Sequence, residues 1–226
     1  MKIAKARAGL KDVELMDFLD KVPPADFARC TELDFSQNSL TDRSIPQIVD
    51  AVKSSPRLKI IKLFKNNFEG DGFWKILEAA PAIHMQELHM SHNRLTNLNA
   101  LKIVEAIDKW DNRLTFWCRL ENNPTLDGRD LFEDIMKDNL SACPKLGRCG
   151  PKACSYDCKV HLPHLIRGRD MDEWKPPRKQ PKVHLRPAVA ALPAPATSSS
   201  SAPRPTLPRA APNATRAASR AATTWR

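Results

Sequence analysis

The stretch Met85-Gln86-Glu87-Leu88-His89-Met90-Ser91-His92-Asn93-Arg94-Leu95 decides how the chain is read. Its order is apolar, two spacers, apolar, one spacer, apolar, two spacers, Asn, one spacer, apolar. Two earlier stretches repeat it slot for slot: Cys30, Leu33, Phe35, Asn38 and Leu40, then Leu58, Ile61, Leu63, Asn66 and Phe68. A fourth copy keeps Cys118, Leu120 and Asn123-Pro124, with Thr115 in the first slot and Leu114 beside it. Asn38, Asn66, Asn93 and Asn123 fall 28, 27 and 30 residues apart, a regularity that identifies an internal repeat rather than a chance apolar cluster. Within each copy, alternation puts Leu88 and Met90 on one face of a strand and Glu87, His89 and Ser91 on the other. The Asn amide carries two donors and an acceptor, which suits the place where a strand becomes a loop and backbone groups lose their partners.

Between the copies, apolar residues recur at helical spacing. Ile45, Ile48, Val49 and Val52 form one stripe, with Asp42 as its expected N-cap and Pro46 tolerated in the first turn. Phe73, Ile76, Leu77 and Ala80 form the next, followed by Ala100, Ile103, Val104 and Ile107, then by Gly128, Leu131, Phe132 and Ile135. A strand that returns through a helix lands parallel to the previous strand, so four strands and four helices predict a parallel sheet. Leu15, Phe18, Leu19 and Val22 predict a further helix over 10–22, stopped by Pro23-Pro24. It covers the apolar end that the first repeat would otherwise expose.

With repeat lengths of 27 to 30 and a full helical return, residues 10–140 resemble the ribonuclease-inhibitor-like class of leucine-rich repeats. The resemblance implies an α/β fold. Its form is a short horseshoe, with four parallel strands on the concave face and helices on the convex face. It also implies a partner protein bound on that concave face, and it names no particular partner. The outward side chains then stack across repeats in columns. The middle column reads Asp34, Lys62, His89, Arg119; beside it run Glu32, Ile60, Glu87, Trp117 on one flank and Ser36, Phe64, Ser91, Glu121 on the other. Exposed aromatics next to Arg are the mixture that binding hot spots favour, so Trp117, Arg119 and Phe64 lead the candidate partner contacts, with Lys62, His89, Asp34 and Glu87 around them. An ordinary solvated sheet face is the plain alternative.

His89 and His92 near Cys118 invite a Cys/His catalytic reading. Cys118, like Cys30, falls in an inward slot, where a free thiol acts as a small apolar side chain. Neither a phosphate-cradling glycine loop nor a nucleophile elbow nor a metalloprotease motif occurs in the sequence, so the chain is expected not to be an enzyme.

Charge divides the chain in two. Through Ser141 there are 20 Lys and Arg against 22 Asp and Glu; from Ala142 onward there are 16 against 4. Ten of the 19 prolines lie beyond Lys175, and no acidic residue follows Glu173, which leaves residues 175–226 little with which to form a core. The expected domains are therefore a helical cap over 1–29, repeats over 30–141, a Cys/His-rich segment over 142–174 and a disordered basic Pro/Ala/Ser-rich tail over 175–226. The first ten residues lack the apolar run of a secretory signal, and no stretch reaches membrane-spanning length. The expectation is an intracellular monomer, cytoplasmic or nuclear, with no membrane partner. A reducing compartment makes metal binding a better use of six cysteines than disulfides.

The Cys/His-rich segment places Cys143, Cys149, Cys154, Cys158, His161 and His164 within 22 residues. Thiolate and imidazole are the ligands tetrahedral zinc prefers. The run from Gly147 to Cys158 resembles the second half of a CCCH zinc finger, where Cys, Cys and His follow with a Tyr, here Tyr156, two before the last ligand. Cys158 stands where His is expected, and the gap from Cys143 to Cys149 is shorter than usual. The implied ligands of one zinc ion are Cys143, Cys149 and Cys154, with either Cys158 or His161 as the fourth. A disulfide-linked cap and unstructured thiols are the other readings. Basic residues beside an aromatic also suit single-stranded RNA, which makes an RNA partner the second functional reading. Lys175–Lys182 reads either as a nuclear import signal or as a solvated linker.

Overall fold

The structure, a computed structural model, describes residues 1–111, 115–145, 149, 154 and 158–166. Its centre is one parallel sheet of six strands, hydrogen-bonded in the order in which they occur along the chain. The strands are β1 (Lys2–Ala4), β2 (Glu32–Asp34), β3 (Ile60–Lys62), β4 (Glu87–His89), β5 (Phe116–Arg119) and β6 (Val160–His161). Helices α1 (Asp12–Leu19) and α2 (Pro24–Arg29) join β1 to β2; α3 (Ile45–Lys53), α4 (Trp74–Ala79) and α5 (Asn97–Asp108) make the next three returns, and α6 (Gly128–Lys137) follows β5.

Register puts Ile3, Leu33, Ile61, Leu88 and Cys118 opposite one another, and all five are buried. The helices present Ile48 and Val52, Ile76 and Leu77, Ile103 and Val104, and Leu131 and Ile135 to the same core. Each fully buried Leu or Ile contributes about 1.5–3 kcal/mol over its exposed state, so the stripe and the inward row together fix the stacking of the units. Among the described residues, no helix is long and apolar enough to cross a membrane.

The asparagines tie each unit to the preceding one. Asn93 Nδ2 donates to the carbonyls of Met90 in its own unit and Leu63 in the one before, both at 3.0 Å, while its Oδ1 accepts from Phe68 N. Asn66 donates likewise to Leu63 O and Phe35 O and accepts from Leu40 N. Asn123 donates to Leu120 O and Met90 O and accepts from Leu95 N. Immediately before each ladder residue the backbone turns left-handed, at Gln37, Lys65, His92 and Asn122, with φ between 54° and 58°. That conformation costs an L-residue about 1–2 kcal/mol, which the otherwise missing carbonyl and amide partners offset.

Four strands were expected and six are present. The additional β1 belongs to a unit that repeats the same turn, with Arg7 at φ 56° and Ala8 in the Asn position. Asn38 supplies what Ala8 lacks: its amide bonds Lys5 O, Ala8 N and Leu10 N. The region 1–29 is thus a strand and two helices rather than a helical cap alone. Pro24 opens α2, where its missing N–H is harmless, and α1 has already ended at Leu19.

Asp42 does not cap α3. Thr41 caps the short 3₁₀ turn Asp42–Ser44, and the Asp42 carboxylate reaches forward to accept from the N–H groups of Glu69, Gly70 and Asp71. In the fourth copy Thr115 is exposed and Phe116 fills the core instead, edge-on to Trp110 with ring centroids 5.2 Å apart. Leu114 lies outside the described residues, as does the tail expected over 175–226.

The Cys/His-rich segment supplies the sixth strand. β6 lies between β5 and Ser141–Cys143: Phe116 N donates to Lys159 O on one side, while Cys143 N donates to Val160 O and Val160 N to Ser141 O on the other. Leu162, Leu165 and Ile166 then join the core, and Leu165 and Ile166 lie against Gly128 of α6. A Cβ at Gly128 would sit 3.0 Å from Leu165 O and 3.1 Å from Ile166 Cγ1.

Candidate metal centre and sheet face

The outward face of the sheet carries the side chains that alternate with the core. Glu32, Ile60, Glu87, Trp117 and His161 lie in one row across successive strands, and Asp34, Lys62, His89 and Arg119 in the next. The columns read from the sequence are therefore in register. Phe64 and Trp117 are half-buried on this side, and so is Ile60.

Most of the charge on the face is satisfied within it. Lys2, which sequence reading left out, bonds Asp34 at 2.6 Å and Glu32 at 3.0 Å, and Lys62 bonds Glu32 at 2.8 Å. Burial works to raise the Glu32 carboxyl, yet hydrogen bonds from Lys62 and Lys2 overcome it and hold the group below its usual value. Asp34 follows the same pattern, with Lys2 and the Ser36 hydroxyl and amide as its donors. His89 Nε2 lies 2.9 Å from Glu87. Burial pushes the His89 imidazole below its ordinary value despite the pull of Glu87, which favours the neutral ring. Arg119 holds Glu121, almost wholly buried beneath it.

At the end of this row stands the cysteine cluster. Cys143 reaches it from the segment flanking β6, His161 from β6 itself, and Cys158 from just before that strand. Among the described residues, Cys143, Cys154 and His161 bring one donor atom each to within 4.8 Å of one another, a group that could hold a metal ion. Cys143 Sγ is 3.4 Å from Cys154 Sγ, and Cys158 Sγ is 3.4 Å from His161 Nε2. Cys143 and Cys149 are buried, and Cys154 and Cys158 are half-buried. Hydrogen bonds from Cys149 and Cys158 onto the Cys143 sulfur hold Cys143 well below the usual thiol value. The same bonds, together with burial, push Cys149 and Cys158 up.

His161 belongs to both arrangements. Its ring, 1% exposed, stacks on Trp117 with centroids 4.3 Å apart and planes 26° apart. Its Nδ1 is buried without a hydrogen-bond partner among the described residues. The expected contact residue and the expected ligand are thus neighbours, which their separation of 44 positions in the chain did not disclose. Lys159 fastens the same strand from behind: its ammonium donates to the carbonyls of Asp108 and Trp110, the latter at 2.6 Å, where α5 ends. Asp108 adds a bond from Ser141 N.

Cys118 is fully buried, and burial pushes its thiol up, which disfavours the thiolate that a Cys/His nucleophile needs. His92 instead meets Asn122 at 3.2 Å. No known protein-family model matches the chain, and no curated protein matches it.

Proposed function

We propose that the chain is a leucine-rich-repeat protein of the ribonuclease-inhibitor-like class that holds a protein partner on the outward face of its sheet. A zinc ion in the cysteine cluster secures the C-terminal end. The observation that carries the reading is the presence of half-buried apolar and aromatic side chains, Ile60, Phe64 and Trp117, on a face whose charges are mostly paired with one another. Such a face loses little on desolvation and offers apolar and aromatic area, the combination found at binding hot spots. The unit lengths and the asparagine ladder support the repeat assignment.

Zinc is supported by the donor set and its spacing. Around a tetrahedral zinc with Zn–S near 2.3 Å, two sulfurs lie about 3.7 Å apart, and a sulfur and an imidazole nitrogen slightly less. The 3.4 Å separations of Cys143 from Cys154 and of Cys158 from His161 are close to those values. Purified full-length protein should carry about one zinc per chain under reducing conditions; a metal-free preparation that takes up no zinc would remove the metal from the proposal.

The partner reading is tested with full-length protein carrying Phe64→Ala and Lys62→Glu together. Proteins captured by the wild type and lost by a variant of unchanged melting behaviour support the face as the binding surface. Capture indifferent to these substitutions counts against it. RNA binding through the Cys/His-rich segment and tail is the second reading, favoured by the 16 basic against 4 acidic residues from Ala142 onward. It requires an affinity for single-stranded RNA that falls steeply with salt, whereas an apolar-centred protein interface responds weakly.

A further inference from the structure

We propose that the metal in the cysteine cluster governs the binding face through His161, so that zinc occupancy sets the position of Trp117; this rests on the zinc reading given above. The geometry joins the two sites through a single ring. His161 Nε2 faces the Cys158 sulfur at 3.4 Å, and one of its ring nitrogens lies within 4.8 Å of the Cys143 and Cys154 sulfurs. The flat side of the same ring covers Trp117 at 4.3 Å. Trp117 is in turn the last outward side chain of its row before β6, level with Glu87 and Ile60 on the neighbouring strands.

Apart from the Lys159 bonds and the buried Val160 and Leu162, β6 is held by a few ladder bonds. It is two residues long, and the chain between Cys143 and Cys158 must close a loop to bring it between β5 and Ser141–Cys143. Closing that loop costs chain entropy, and a short strand with few ladder bonds recovers little of it. A metal bridging Cys143 to the residues at the far end of the loop ties both ends together, as a covalent cross-link would. With the metal bound, His161 is fixed in two directions, and a fixed ring presents a fixed stacking surface to the indole. Without it, the His161 end of β6 loses a tether that Lys159 and the ladder bonds do not replace, His161 leaves the indole, and the end of the face opens to water. Partner affinity then depends on zinc although the partner touches no ligand.

The test uses full-length protein and needs no knowledge of the partner. The emission of Trp117 is isolated as the wild-type spectrum less that of Trp117→Phe, and zinc is followed in parallel by elemental analysis. Removing zinc with a chelator in reducing buffer should shift the Trp117 component to longer wavelength as water reaches the ring, and adding zinc back should reverse the shift. The variant His161→Cys keeps a metal donor but has no ring. It should retain zinc while its Trp117 component is already shifted and no longer responds to the metal. Zinc that leaves and returns with no movement of the Trp117 component overturns the coupling and leaves the zinc site standing. A His161→Cys protein whose Trp117 still follows the metal overturns it too, because the link then runs through something other than the ring. Protein that binds no zinc at all removes the zinc reading and the coupling together.

Discussion

The indole of Trp117 and the imidazole of His161 lie stacked across adjacent parallel strands, 4.3 Å between centroids, and they are register partners of β5 and β6. Aromatic pairs of this kind contribute about 0.5–1.5 kcal/mol beyond the area they bury. A double-mutant cycle of Trp117→Leu and His161→Cys, which keeps a metal donor, should therefore give a coupling energy in that range by chemical denaturation of full-length, zinc-loaded protein. A coupling indistinguishable from zero would mean that the rings are adjacent without supporting each other.

Asn93 is the most demanding position of the ladder. It is buried, donates to Leu63 O and Met90 O, and accepts from Phe68 N. Replacing it with Ala takes the acceptor from the buried Phe68 N, a loss of about 1–3 kcal/mol, and one of two side-chain donors from each of Leu63 O and Met90 O, which keep Asn66 and Asn123. Asn93→Ala should lower the denaturation midpoint far more than Asn38→Ala, whose partners include the exposed Ala8 N and Lys5 O. Equal losses at the two sites would contradict this account of the ladder.

Thiol labelling should divide the six cysteines into two groups. Cys30 and Cys118 are fully buried, and burial raises both thiols, so neither should react with an alkylating reagent in the native state. Both should react once the sheet is unfolded. The four thiols of the cluster should become reactive on chelation without global unfolding. Mass spectrometry of labelled peptides reads the difference, and early modification of Cys118 would show that the core opens locally.

Acid should weaken the fold in two windows. His89 is held below its usual value, so the unfolded chain takes up a proton there first; stability present above about pH 6.5 is lost as the pH falls below it. Glu32 and Asp34 are also held low, and what they contribute is present above their ordinary carboxyl values and lost as pH falls through the lowered ones. The Lys2 and Lys62 pairs are partly exposed, so each is worth at most about 1 kcal/mol. His89→Gln should flatten the upper window and leave the lower one in place, as judged from melting temperature against pH.

Lys159 should matter locally. From the residue just before β6, its ammonium meets the carbonyls of Asp108, the last residue of α5, and of Trp110 two residues beyond. Lys159→Met should accelerate amide exchange at Phe116, Cys143 and Val160 while leaving the amides of β3 and β4 protected. Uniform acceleration across the sheet would mean that this strand is not a separable unit.

The repeating α/β architecture was legible because it depends on short-range order. Leu88, Met90, Asn93 and Leu95 mark one strand and turn within eleven residues, and the same marks recur often enough to set the register of β2 to β5 and to place Glu87 beside Trp117. The first unit is not announced in the sequence because Lys5 and Ala8 replace the apolar residue and the Asn that mark the others, and Asn38 supplies the missing bonds from 28 to 33 positions away. Phe116 was passed over for Thr115 because its burial depends on Trp110, a partner from the preceding helix end. The cysteines and His161 could be recognised as donors by residue type alone. Which of them meet, and that His161 lies against Trp117, follows from where β6 inserts in the sheet. That insertion depends on hydrogen bonds between Phe116, Val160, Ser141 and Cys143, groups with no common spacing in the chain, and only the folded sheet brings them together.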